Sequence, residues 1–224
     1  QAGYYDGPNG PRVDPGEYSL HLQAGTKEAD GKVTVEEDPR LAMPAADRAA
    51  RRAALDALYV MAKTSTTDRK TISGLQSALK STRENWKKEA DKKDGVKIPE
   101  DVQKQAEELQ KKVDDLARKF KRDQEGLGNA GPPFEWHPAP LPDQVQTLME
   151  SIDEFSAAPS PQQAEKLEEL KPLVSDASAQ VKKLMEQDLP ALNKKMNEAG
   201  IPHIVPSPET LTPTGDGQGE ESDR

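Results

Sequence analysis

Residues 44–93, PAADRAARRAALDALYVMAKTSTTDRKTISGLQSALKSTRENWKKEADKK, decide the fold. Leu58, Ser65, Ile72, Leu79 and Trp86 recur at intervals of seven, and Leu55, Ala62 and Leu75 sit near a second apolar row. That is the pattern of a helix packed against other helices along most of its length. The middle, Thr64 to Thr71, is polar and β-branched and has the propensity of a loop. A loop would lose the phase, yet the interval of seven is kept across it. The stretch therefore predicts one long helix with a polar waist. About fifty residues at 1.5 Å each make roughly 75 Å. Pro44 suits the first turn, where its missing N–H costs nothing. Lys92 and Lys93 suit the negative end, and Gly95 stops the helix.

Downstream the helical pattern continues. Pro99-Glu100-Asp101 opens a second helix with the core row Val102, Ala106, Leu109, Val113, Leu116 and Phe120, spaced 4, 3, 4, 3, 4. Gly126 and Gly128 are expected to end it. A third helix turns Val145, Leu148, Ile152 and Phe155 inward. Ser160-Pro161-Gln162-Gln163 reads as a capping box with proline at the first helical position. It opens a fourth helix through Leu167, Leu170, Val174, Val181, Leu184 and Met185, with kinks expected at Pro172 and Pro190. Ala191 to Ala199 continues it to Gly200. From Val205 the chain is Pro, Gly, Thr, Ser and acid, a composition expected to stay disordered.

Upstream, residues 1–40 read as β. Tyr18, Leu20 and Leu22 alternate onto one face, as do Val33 and Val35. Gly25 to Gly31 reads as a turn-rich link, so the pair is a hairpin. Two strands alone are marginal in water. The region is therefore expected to be part of a β-sandwich whose other strands come from residues 1–13, from a further segment or from a partner. The predicted fold class is α+β. A short N-terminal β-sandwich module (1–40) precedes an antiparallel four-helix bundle (44–204) with one very long first helix. A disordered acidic tail follows (205–224).

Composition restricts the chemistry. The 224 residues are 33% hydrophobic and only 4% aromatic, enough for a bundle core but not for a large globular one. The net charge of −9 disfavours nucleic acid, whose phosphates need a basic surface. Without cysteine there is no disulfide, thiolate metal site or cysteine nucleophile. No apolar run approaches the roughly 20 residues that span a bilayer. No signal peptide is visible, and the opening Gln1 suggests a processed product or part of a longer chain. His21, His137 and His203 stand apart from one another. The carboxylates alternate with lysines along helix faces, as in Glu107-Glu108 near Lys111-Lys112, which is the pattern of solvated ion pairs. Asp6-Gly7-Pro8-Asn9-Gly10 lacks the spacing of a calcium loop. Phosphate-cradling glycine loops and nucleophile elbows are missing from the sequence. The chain reads as a non-enzyme with no cofactor and no metal.

Phe134-Glu135-Trp136-His137 is the exception. Phe134 and Trp136 are two of the chain's three Phe and two Trp, in a link bounded by prolines. From Gly126 to Pro142 that link exceeds the roughly two to eight residues that bundle loops need. Aromatics on a restrained backbone make interface hot spots. Phe134, Trp136 and His137 are therefore the candidate partner-binding residues, and burial against the chain's own helices is the plainer alternative.

Pro15-Gly16-Glu17-Tyr18-Ser19-Leu20-His21-Leu22, followed by Val33 to Arg40, resembles a segment near the C-terminus of bacterial BNR-repeat, sortilin-like β-propeller proteins. Pro44 to Asp47, Asp188 to Asn193 and Ala199 to Pro202 resemble the helical extension that ends those proteins. The motifs keep their order over roughly residues 11–204. The resemblance implies a β-sandwich plus helical extension and an exported, periplasmic or extracellular setting. A glycosidase-like site of such proteins would lie in the propeller, which this sequence lacks, so no catalytic residue is carried over. Members have a variable link where this chain carries its aromatic insertion.

The leading expectation is a non-catalytic structural and interaction module. It would be an exported extrinsic accessory subunit docking on a larger assembly, such as a membrane-bound respiratory or photosynthetic complex. It would have no transmembrane segment of its own and no nucleic-acid partner. The alternative is the C-terminal fragment of a propeller-type protein that binds or hydrolyses glycans. A Phe134→Ala, Trp136→Ala double variant is expected to lose co-purification with the host at unchanged melting temperature. A large fall in melting temperature would show instead that the rings cap their own helices.

Overall fold

The computed structural model describes residues 8, 10–40, 43–92, 95, 97–121 and 138–206. Within them the chain is α+β: a two-stranded antiparallel sheet at the N-terminus, then helices, one of them long. The strands are β1 (Gly16–Ala24) and β2 (Lys27–Val35). The helices are α1 (Ala45–Ala90), α2 (Glu100–Ala117), α3 (Leu141–Asp153) and α4 (Pro161–Lys183). A π-helical turn (Leu184–Asp188) then leads into α5 (Leu189–Glu198). The aromatic link at Phe134, Trp136 and His137, the glycines 126 and 128 and the tail beyond Pro206 lie outside the described residues.

The long helix forms as the heptad spacing requires. It runs unbroken from Ala45 to Ala90, waist included. Leu58, Ser65, Ile72 and Leu79 are fully buried, and only Trp86, near the end, is half-buried. Packing thus overrides the poor helix propensity of Thr64–Thr71. The buried Ser65 hydroxyl donates back to Ala62 O at 3.3 Å, so its polar atom is satisfied within the helix itself. Pro44 sits just ahead of the first turn and its carbonyl accepts the Arg48 N–H at 3.0 Å.

The described chain forms two compact units. One takes residues between 8 and 66 and between 118 and 180; the other takes residues between 67 and 117 and between 181 and 206. In the first unit, Ala54, Leu55, Leu58, Met61 and Ala62 of α1 cluster with Val145, Leu148, Met149 and Ile152 of α3 and Leu167, Leu170 and Val174 of α4. The capping box at the start of α4 is formed. The Gln163 N–H donates to Ser160 Oγ at 3.2 Å and the Ser160 N–H to Gln163 Oε1 at 2.8 Å. In the second unit the buried residues include Ile72, Leu75 and Leu79 of α1, Val102, Ala106, Leu109, Val113 and Leu116 of α2, and Leu189, Leu192 and Met196 of α5. Gln76 Nε2 reaches Asp114 Oδ1 at 2.6 Å, and Arg83 pairs with Glu107 at 2.9 Å, joining α1 to α2.

Three expectations change, at the ends of α2 and α3 and in the hairpin link, and the two prolines are accommodated within helical structure. Helix α2 stops at Ala117, well before the glycines expected to end it, while Phe120 stays buried. Phe155 is 61% exposed, because α3 ends at Asp153 and the helical period no longer places residue 155 inward. Pro172 lies inside α4 without ending it. Before Pro190 the ladder is reset instead, with the Leu189 N–H bonding to Leu184 O in the π turn. Proline has no N–H for the carbonyl four residues back, and a wider turn accommodates that loss. The link expected from Gly25 to Gly31 shrinks to Gly25-Thr26, and Lys27 to Gly31 belong to β2.

Substituting Thr67 by Pro in the waist is expected to cost about 3 kcal/mol or more, read from the denaturant midpoint, whereas Thr67→Ala should be close to neutral. A proline variant that unfolds at the wild-type midpoint would contradict the continuous helix.

Candidate functional site

The hairpin is built from its turn outward. Gly25 has φ 65°, the left-handed value that a two-residue hairpin turn needs at its first central position. That turn sets Ala24 opposite Lys27 and fixes every pair below it: Leu22 with Ala29, Leu20 with Gly31, Tyr18 with Val33, Gly16 with Val35. Because side chains alternate, one face carries those pairs and the other carries Gln23 with Glu28, His21 with Asp30, Ser19 with Lys32 and Glu17 with Thr34. The polar face pairs across the strands. His21 Nδ1 lies 2.7 Å from Asp30 Oδ1, and Gln23 Nε2 donates to Glu28 Oε1 at 3.2 Å.

The apolar face stays open. Leu20 is 53% exposed, Leu22 66% and Val33 41%; Tyr18 and Val35, nearer the base, are half-buried. Such a face normally packs on a second layer, since an isolated hairpin is marginal in water.

Of three arginines on the first turns of α1, two hold the base of the sheet and the third holds the end of α3. Arg48 donates to Glu37 Oε2 at 2.6 Å, just past β2. Arg52 donates to Asp14 Oδ2 and to Arg12 O, both at 2.8 Å, just before β1. The Tyr18 hydroxyl donates to Asp14 O at 2.6 Å. Arg51, largely buried, donates to Asp153 O at 2.9 Å and Phe155 O at 3.1 Å and pairs with the Asp153 carboxylate. It thereby satisfies carbonyls at the C-terminal end of α3, where the helix dipole favours a cation. The hydrogen bond from Arg52 outweighs the opposing effect of burial and holds the Asp14 carboxyl below its ordinary value, and the same bond raises Arg52. Arg40 likewise lowers the exposed Asp38 through side-chain and backbone hydrogen bonds. The signal for this clasp was present in the sequence as arginines at positions 48, 51 and 52, spaced to share one helix face, but charge on a helix end reads first as a solvated surface.

The second unit has an open groove of about 360 Å³ lined by residues of α2, Asp188 and Lys195. Two ion pairs lie within it, Lys112 with Asp188 at 2.6 Å and Lys195 with Asp101 at 3.7 Å. Gln105 Oε1 is buried there without a hydrogen-bond partner. Groups of three or more His, Asp or Glu placed to hold a metal are not found among the described residues. His21 and His203 are both exposed, and His137 lies outside the described residues, as do Phe134 and Trp136. Among the described residues no helix is long and apolar enough to cross a membrane.

The chain matches no family model, no curated protein and no solved structure.

Asp14 gives the clasp a pH dependence. Its folded pKa lies below the ordinary 3.8, so its contribution to stability is complete above that pH and is lost as the pH falls through the lower folded value. Thermal melts taken down the acid limb should show the Asp14→Asn variant less stable than wild type at neutral pH and converging on it in acid. Parallel acid limbs would mean that the Arg52–Asp14 bond contributes nothing.

Proposed function

We propose that the chain is a non-catalytic structural and interaction module, an exported extrinsic accessory subunit that works by docking within a larger assembly. The observation that carries this reading is the hairpin: two nine-residue strands, sorted into a paired polar face and an open apolar one. A soluble module gains nothing from leaving Leu20, Leu22 and Val33 in water, at roughly 25 cal/mol for each Å² of apolar surface that a partner would cover. In this reading the hairpin is one layer of a β-sandwich whose second layer arrives on assembly. The helices, read as an antiparallel four-helix bundle, are its support. The arginine clasp fixes the hairpin's base to α1, so that little order need be gained on docking.

The exported setting and the link to BNR-repeat, sortilin-like proteins rest on the ordered motifs between residues 11 and 204. Phe134, Trp136 and His137 supply a second contact in the same proposal, and two modest contacts on one support add avidity. Assignment as a non-enzyme rests on the residue types present: the sequence has no cysteine, phosphate-cradling glycine loop or nucleophile elbow.

A Leu20→Lys, Leu22→Lys double variant tests the reading. Both residues are exposed, so the melting temperature should stay within a few degrees of wild type. Expressed in place of the wild-type chain, the variant should leave the high-mass fraction of a gradient and run as free protein. A variant that stays in the wild-type fraction would refute the docking role of this face.

A further inference from the structure

The open face has a shape as well as a composition. Along β1 it presents Leu20 and Leu22; directly opposite on β2 stand Gly31 and Ala29. One strand is a ridge and the other a trough. A Cβ built on Gly31 would meet Leu20 Cβ at 4.0 Å, an ordinary contact, so the glycine leaves the β2 side of the face low without any clash that forbids a side chain there. The inequality continues toward the ends, where Val35 opposes Gly16 and Lys27 opposes Ala24. Only the pair Tyr18 and Val33 sets two large residues together, and the Tyr18 hydroxyl is drawn aside to Asp14 O at 2.6 Å.

We propose that a second copy of this chain covers the face, the two hairpins stacking about a two-fold axis that runs along the strands. This rests on the reading of the face as a docking surface and names its occupant. That axis sets β1 of one copy over β2 of the other, level by level. Leu20 then lies over Gly31 of the second copy, Leu22 over Ala29, Val35 over Gly16 and Lys27 over Ala24. Large meets small at each of these levels, as interdigitating layers require. A C2 interface must be self-complementary, and this face carries both its ridge and the matching trough.

The charges agree. Lys27 is the one ionisable group at these levels besides the phenol of Tyr18, and it meets alanine. Glu17, His21, Glu28, Asp30 and Lys32 lie on the opposite face and point away from the contact. The two Lys27 residues share one level but stand diagonally across the contact at its solvent-exposed end, and no carboxylate lies on the face. Aligned sheets of this kind pack about 10 Å apart. Nine residues per strand, at about 3.4 Å each over two strands about 4.8 Å apart, give a face of roughly 300 Å². Two copies bury roughly 600 Å² together, below the about 1,200 Å² of a stable specific interface, so the dimer is weak and concentration-dependent.

Sedimentation velocity on the full chain from about 10 μM to about 1 mM tests this. Wild type should move from monomer toward twice the monomer mass. Gly31→Val fits its own hairpin, since 4.0 Å is ordinary van der Waals contact and valine favours strands. It should melt at or above the wild-type temperature yet lose self-association at least tenfold, because the trough is filled. Leu22→Glu and Ala29→Lys should each weaken association, and an equimolar mixture of the two should restore it. Wild type that stays monomeric throughout, or Gly31→Val that associates as wild type does, overturns the proposal. If wild type is monomeric while Leu20→Lys, Leu22→Lys still leaves the high-mass fraction, the second copy is wrong and the docking reading stands. If that variant fractionates normally as well, both fall.

Discussion

Each of the two compact units takes part of its buried core from one uninterrupted helix, Ala45–Ala90, and the phase of that helix constrains everything else. Leu55 and Leu58 serve one unit; Ile72, Leu75 and Leu79 serve the other. The polar, β-branched run Thr64–Thr71 is therefore held helical by packing at both of its ends rather than by its own propensity. Burial of Ser65 is tolerable because its hydroxyl bonds back within the helix.

The start of the same helix governs the sheet. Arg48, Arg51 and Arg52 each end on a carboxylate, and Arg51 and Arg52 also reach carbonyls outside α1. These bonds lie at partly buried sites, where ion pairs are screened less than on an open surface. They tie down the chain on either side of the hairpin and leave its far end, with Leu20 and Leu22, in solvent. A sheet anchored at its base and open on one apolar face is the feature on which the proposed docking role rests.

The sequence made some of this legible and hid the rest for identifiable reasons. Apolar spacing located α1, and all six core positions from Val102 to Phe120 are buried. Ser160 and Gln163 marked a real cap because both halves of the box are local in sequence. Phe155 misled because periodicity does not announce where a helix stops, and the carbonyls at that end are satisfied by Arg51, a residue about a hundred positions away. The hairpin's alternation was readable, but Asp30 and Gly31 looked like turn residues; the two-residue turn at Gly25 draws them into the ladder instead. The arginines of the clasp were visible on one helix face, but their partners were not, since nothing local tells an arginine that it will meet Asp14 or Asp153. The aromatic candidates at Phe134, Trp136 and His137 lie outside the described residues, so the candidate site rests on the hairpin.

The proposed dimer depends on one contact, a leucine ridge seated in the glycine and alanine trough of the second copy. Isotope-filtered nuclear Overhauser spectroscopy on a mixture of labelled and unlabelled full-length chains observes it directly. The filter matters because Leu20 and Gly31 also face each other within one hairpin. The proposed dimer should give cross-peaks between Leu20 methyl protons of one chain and Gly31 α protons of the other, strengthening with concentration, and Gly31→Val should lose the interchain peaks of Leu20. Cross-peaks confined to single chains at every concentration, with the Leu20 and Leu22 methyl shifts unchanged throughout, would contradict it.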